Sequence, residues 1–226
     1  MAKIHGIPGE WARVKGTVVG LWPLFLGFFV QGFAVALMAF DSTRAWGAAL
    51  LVLSLGWCIW SVYRGMRHVE RYFKGARGEE RVSAILGNLP DAYHVFNDFV
   101  ACGRHVDHVV VGPAGVFAVE TKYWRGKVTI EDGHILLDGQ LPNRSPLAQV
   151  LGEAHAVREQ LAKSGWAGTV TPVLTFASDA FEAKIAELQG AVVINSKFLK
   201  DGFSTERVVL PPSELERLVG IMESDS

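Results

Sequence analysis

Residues 16–40 contain no charged side chain, and after the polar break Asp41-Ser42-Thr43-Arg44 a second uncharged run covers residues 45–63. A helix needs about 20 apolar residues to cross a hydrocarbon core. A core helix of a water-soluble domain seldom stays apolar around its whole circumference for that length. The break is short, so the two runs are expected to form an antiparallel transmembrane hairpin. Gly20, Gly27, Gly32, Gly47 and Gly56 would let the helices approach closely. Trp22, Trp46, Trp57, Trp60 and Tyr63 fall largely toward the ends, where aromatic side chains meet the interface. Lys3, Arg13 and Lys15 precede the first run, and Arg64, Arg67, Arg71 and Lys74 follow the second. The loop between them has only Arg44, offset by Asp41. Basic flanks stay on the cytoplasmic side. The expectation is therefore an integral protein of a bacterial inner membrane with both termini cytoplasmic. A cleaved leader would have a shorter apolar core of about 7–15 residues, and no second span would follow it.

The chain then divides into a cytoplasmic N-terminal segment (1–15), the hairpin (16–63), a linker helix (64–74) and a soluble domain (75–226). From residue 64 onward there are 18 basic and 21 acidic residues, a net charge of −3. That excludes a broad cationic field, so any polyanion would have to be held by a local patch and metal ions. Cys58 and Cys102 show no metal-ligand spacing. Apolar periodicity predicts a helix over 67–86, then strands at 93–99, 105–111, 115–124, 127–131 and 134–137. A helix should follow Ser145, with Ser145 as N-cap and Pro146 as its first residue. Its apolar stripe is Leu147, Val150, Leu151, Ala154, Val157 and Leu161. Strands at 170–176 and 191–195 should flank a short helix at 181–188. A last helix should start at Ser213, with Glu216 completing a capping box. The order αβββαβ means an α/β fold on a mixed sheet.

The chemistry concentrates in residues 105–122. The turn Gly112-Pro113-Ala114-Gly115 sets Gly112 opposite Gly115, which carries Asp107 to a position opposite Glu120. Directly opposed Cβ atoms lie about 4.5–5.5 Å apart. Lys122 is two residues beyond Glu120 and shares its face. Two carboxylates that close repel each other, and a divalent cation between them removes the repulsion. Hard oxygen donors suit Mg²⁺ or Mn²⁺. Lys122 would then orient or deprotonate a water, or neutralise charge on a phosphoryl group. The plainer alternative is a cross-strand cluster in which Lys122 only neutralises Glu120. In the preceding helix, Val82, Ile85 and Leu86 mark the buried stripe, so Glu79 can face the sheet while Glu80 should face water. Glu79 is the third expected metal ligand, after Asp107 and Glu120, acting directly or through a bound water, with an ordinary solvated helix glutamate as the alternative. Gln149 could contact a metal-bound water or a phosphate. Arg104, Arg125, Lys127 and Arg144 are candidates for a phosphate-binding rim. Tyr123 and Trp124 could stack on bases, with core packing as the alternative.

These residues resemble a known family. Gly75-Ala-Arg-Gly-Glu79, Asn97-Asp98, Val106-Asp107-His108 running through Gly112-Pro113-Ala114-Gly115 to Glu120-Thr-Lys122, Gly126, and Ser145-Pro146-Leu147-Ala148-Gln149 look like the nuclease-related domain (NERD) family. That family is placed in the PD-(D/E)xK endonuclease superfamily. Val106 and Ser145 stand where isoleucine and asparagine are common. The resemblance implies a restriction-endonuclease-like core, Mg²⁺- or Mn²⁺-dependent phosphodiester hydrolysis, and catalytic roles for Asp107, Glu120, Lys122, Glu79 and Gln149. The expected partners are nucleic acid, DNA ahead of RNA, the lipid bilayer, and a second copy packed through the hairpin. The alternative is a membrane-anchored binding or interaction module without turnover.

Overall fold

The computed structural model describes residues 1–203 and 208–224, apart from the side chains of His68 and Arg71. The chain forms two compact units, one of residues 11–74 and one of residues 1–10 and 75–226.

The helical unit comprises most of α1 (Glu10–Met38) and the first part of α2 (Arg44–Leu86). Its seam is made of small residues: Gly16, Gly20, Gly27 and Ala34 are the buried positions of α1. A Cβ added at Gly47 would lie 2.7 Å from the Ala34 carbonyl oxygen, and one at Gly65 would lie 2.6 Å from that of Gly20. The backbones touch there, and no larger residue fits. Gly32 and Gly56, also expected in the seam, face nothing within 4 Å. Large apolar side chains point outward instead, with Phe29 77% and Ile59 73% exposed. Both helices are long and apolar enough to cross a membrane.

The α/β unit is built on a seven-stranded mixed sheet in the order β1-β2-β3-β4-β7-β9-β8. Its strands are β1 (Lys3–His5), β2 (His94–Ala101), β3 (Arg104–Gly112), β4 (Gly115–Lys122), β7 (Val170–Phe176), β8 (Ile185–Leu188) and β9 (Ala191–Asn195). The strands β2, β3 and β4 form an antiparallel meander, and β4, β7 and β9 run parallel. A separate hairpin, β5 (Val128–Glu131) and β6 (His134–Leu137), follows β4. Asp132 and Gly133 both have positive φ, 48° and 76°, as a two-residue turn between twisted strands requires.

One face of the sheet packs Val95, Val110, Phe117 and Val119 against Val82 and Leu86 of α2, together with Leu199 and Phe203 of α4 (Leu199–Phe203). The other packs Phe96, Val109, Val111 and Ala118 against Val157 and Leu161 of α3 (Pro146–Lys163) and Leu218 and Met222 of α5 (Pro212–Ser224). The alternation of β2 breaks at Asp98, which has φ 54°. That brings Phe96 and Phe99 into the same cluster.

Three local expectations need correction. Residues 181–188 hold no helix: Ile185–Leu188 is a strand that turns through Gln189 and Gly190 (φ 51° and 82°) to pair antiparallel with β9. A four-residue apolar segment cannot distinguish the two periods. The last helix begins at Pro212, so Ser213 lies inside its first turn. Proline, which has no N–H to leave unpaired, suits that opening position. Finally, within the N-terminal segment 1–15, where no strand was expected, residues 3–5 form an edge strand, parallel to β2 with His5 opposite Phe96.

Candidate active site

The sheet positions the candidate residues through the register of β3 and β4. Gly112 pairs with Gly115, and the ladder runs outward to His108 and Val119. One step further it opens, and the Asp107 carboxylate accepts a hydrogen bond from the Thr121 N–H at 2.8 Å. Asp107 therefore sits where the two strands part, with its carboxylate against the β4 backbone beside Glu120.

On β4, Glu120 follows Ala118 on the face covered by α3. Glu120 is 2% exposed. The Lys122 ammonium donates to Glu120 Oε1, and at 2.9 Å to the Gln149 carbonyl oxygen. Gln149 in turn donates through Nε2 to Glu153 Oε1 at 2.8 Å. The helix that supplies Gln149 and Glu153 starts where its sequence dictates. Ser145, with extended φ −66° and ψ 116°, accepts the Ala148 N–H, and Pro146 opens the first turn.

Glu153 escaped the sequence reading. It is 3% exposed and belongs to the same network. The signal was present: Glu153 lies three residues after Val150 and four before Val157, inside the apolar stripe of α3. A carboxylate in a buried stripe demands an explanation.

The electrostatics follow from crowding. Asp107 is pushed well above the usual carboxylate range by burial first, then by the charges of Glu120, Glu79 and Glu153, against the Thr121 hydrogen bond. Glu153 is pushed up to about 9, chiefly by burial and next by Glu120. Glu120 Oε2 and Glu153 Oε2 are buried and receive no other donor. Carboxylates donate only when protonated, so a proton held on Glu153 lets it bond Glu120. Burial pulls Lys122 down, but Glu120, Asp107 and Glu153 outweigh it and raise it above its ordinary value. Lys122 is therefore a fixed cation here.

Glu79, and not Glu80, is among the charges that raise Asp107. Glu80 is nevertheless half-buried, as Glu79 is, rather than facing open water. The crowded carboxylates form an oxygen donor set that fits a hard dication.

A cleft of about 550 Å³ opens beside this network, lined by Lys122, Gln149, Trp124, Gln140, Asn143 and Arg144 among others. Of the four basic rim candidates, Arg144 lines it. Arg104 lies beside Gly152 on α3, and Lys127 reaches Glu182 at 3.9 Å. Arg125 is exposed. Trp124 packs on Phe176 with ring centroids 5.6 Å apart, and Tyr123 lies over Gly78. His108 is fully buried on the opposite face, bonds Asn97 at 2.8 Å and is lowered by burial to about 3. His105 faces Asp98 at 3.3 Å. Neither histidine joins the carboxylates.

No curated protein and no solved structure matches the chain. The sequence model of the nuclease-related domain family, NERD, matches residues 74–177. That stretch begins just before Glu79 and ends one residue after β7, so it encloses Asp107, Glu120, Lys122, Gln149 and Glu153. The mixed sheet and the order helix, three strands, helix, strand are consistent with a restriction-endonuclease-like core. Over residues 74–177 this chain is similar to the nuclease-related domain family.

Proposed function

We propose that this domain hydrolyses phosphodiester bonds of nucleic acid, DNA ahead of RNA, with Mg²⁺ or Mn²⁺. The observation that carries the reading is the Asp107–Glu120 pair with Lys122 bound between Glu120 and Gln149. Asp107, Glu120 and Glu79 would hold the ion. When bound, it supplies charge neutralisation at the phosphate and activation of the attacking water.

The remaining work falls to this chain's own side chains. Lys122, kept charged by its carboxylate neighbours, stabilises the negative charge that builds on the phosphoryl oxygens. Gln149 fixes the lysine, because its amide accepts from Nζ while its NH₂ is spent on Glu153. Glu153, raised by burial and then by Glu120, closes the network by accepting from the Gln149 amide. Arg144 and Trp124 line the cleft through which a strand would reach Lys122, offering a phosphate contact and an aromatic face.

We infer further that the apolar hairpin anchors the domain in a membrane, with the basic flanks on the cytoplasmic side. The outward Phe, Trp and Ile side chains support this, because exposing that much apolar surface to water carries a large free-energy cost.

The full chain, and not a fragment starting near residue 65, is the right reagent, because β1 belongs to the α/β unit. It should nick plasmid or cut single-stranded DNA or RNA when Mg²⁺ or Mn²⁺ is added, and stop with EDTA. Cleavage that survives Asp107→Ala would end this assignment of roles. A second reading, a binding module without turnover, draws on the net charge of −3 from residue 64 onward. It requires nucleic-acid binding with no product under any dication.

A further inference from the structure

Away from the carboxylate network, three polar side chains from three distant parts of the sequence converge at the β1 edge of the sheet. His5 comes from the N-terminal strand, His94 from the start of β2 and Glu223 from the end of α5. The parallel register puts His5 opposite Phe96, so His5, His94 and Phe96 share the face covered by α5. The His5 ring stacks on Phe96, centroids 4.4 Å apart and planes 12° from parallel. Its position is thus fixed by packing. His5 Nε2 lies 3.2 Å from His94 Nδ1, and His5 Nδ1 lies 3.6 Å from Glu223 Oε1. One donor atom from each residue falls within 4.8 Å of the others.

We propose that His5, His94 and Glu223 bind a transition-metal dication of the zinc class, which fastens the N-terminal strand to the sheet and to α5. Two observations support the site. The donor chemistry is two imidazoles and one carboxylate, a set that suits zinc with a water completing the tetrahedron. Two nitrogens ligating one zinc at tetrahedral angles stand about 3.3 Å apart, close to the 3.2 Å found between the two rings. Lys3, on the same strand as His5, is exposed to water, which screens its repulsion of an ion.

The site has a structural use. β1 is three residues long, an edge strand paired on one side only. A strand that short holds few ladder bonds of its own. A metal bridging it to β2 and α5 would bind the folded arrangement and not the frayed one, and would favour it by mass action. The carboxylates around Asp107 form a separate, oxygen-only donor set.

The probe is Co²⁺, competed by Zn²⁺, on the full chain in detergent, made without a polyhistidine tag and with excess Mg²⁺ present for the oxygen sites. The expected result is one Co²⁺ per chain with the visible bands of a tetrahedral nitrogen–oxygen site, displaced by Zn²⁺. His5→Gln and His94→Gln should each weaken binding by more than about 100-fold, the upper figure for loss of a mere outer-shell partner. Glu223→Gln should weaken it by about 10-fold or more, and Asp107→Asn should leave it unchanged. If His94→Gln does not fold, His5→Gln, at a half-buried position on an otherwise exposed edge strand, carries the decision. Absence of Co²⁺ binding, or binding indifferent to His5→Gln, would overturn the proposal. So would binding abolished by Asp107→Asn.

Discussion

In the helical unit the buried positions of α1 are glycines and an alanine, while Phe25, Phe29 and Trp46 are exposed. In the α/β unit the buried side chains include Phe96, Phe176, Leu161, Leu218 and Met222, while the outward strand and helix positions carry Lys, Glu and Arg. One unit puts its small residues inside and its large ones outside, and the other does the reverse. On the proposed membrane reading, the difference follows from what each unit has for a solvent. Water drives large apolar side chains inward. Lipid tails do not, so helix association rests on close backbone approach at small residues. It also explains where chemistry can reside. Residues 16–40 and 45–63 carry no charge, whereas the α/β unit buries carboxylates beside Lys122 where β3 and β4 part.

The largest effect should separate the units most sharply. Leu218→Ala should cost the α/β unit about 2–5 kcal/mol in chemical denaturation, as buried leucine truncations do. The matching truncation Phe29→Ala, on an outward position, should stay within about 0.5 kcal/mol. Equal losses at both sites would mean that the hairpin hides a core of the ordinary kind. A smaller but sign-specific effect concerns charge. Glu153 is raised from 4.5 to about 9 in the fold. A raised carboxyl contributes its stability below the unfolded value, and that stability is lost as pH climbs toward the folded one. In EDTA, unfolding free energy should therefore fall between about pH 5 and 9. Glu153→Gln should flatten that fall and gain on the order of 2 kcal/mol at pH 8. A steeper fall in the variant would reverse the sign.

Next comes the seam. Gly47→Leu should disrupt the helical unit by about 1–3 kcal/mol, the usual cost of overpacking, since its Cβ would meet the Ala34 carbonyl. Gly32→Ala, facing open space, should be silent. Thermal unfolding in detergent followed by circular dichroism would tell them apart. The smallest effect belongs to the start of α3. Ser145→Ala should cost about 1 kcal/mol, and Ser145→Asn, which can still cap, should restore most of it.

How much of this was legible depended on range along the chain. The β3–β4 turn fixes pairing locally, so the approach of Asp107 to Glu120 follows from counting outward from Gly112 and Gly115. The helix phase that favours Glu79 is equally local. β1 was not legible, because three residues have no period and their partner lies about 90 positions away. The meeting of His5, His94 and Glu223 was invisible for the same reason. Glu153 could have been read, as a carboxylate in an apolar stripe, but a stripe does not say which strand it faces. β8 hid in a segment too short to separate 2-residue from 3.6-residue spacing.

The central claim is that a dication held by Asp107 and Glu120 makes this domain a nuclease. Its most direct test is the cleavage rate of the full chain as Mg²⁺ is titrated, measured side by side with Glu120→Gln, which keeps the shape and can still accept from Lys122. The expected result is Mg²⁺-dependent product from the parent chain and a rate lower by about 100-fold or more in the variant, with circular dichroism unchanged. Cleavage that ignores Mg²⁺, or that Glu120→Gln leaves intact, would contradict it.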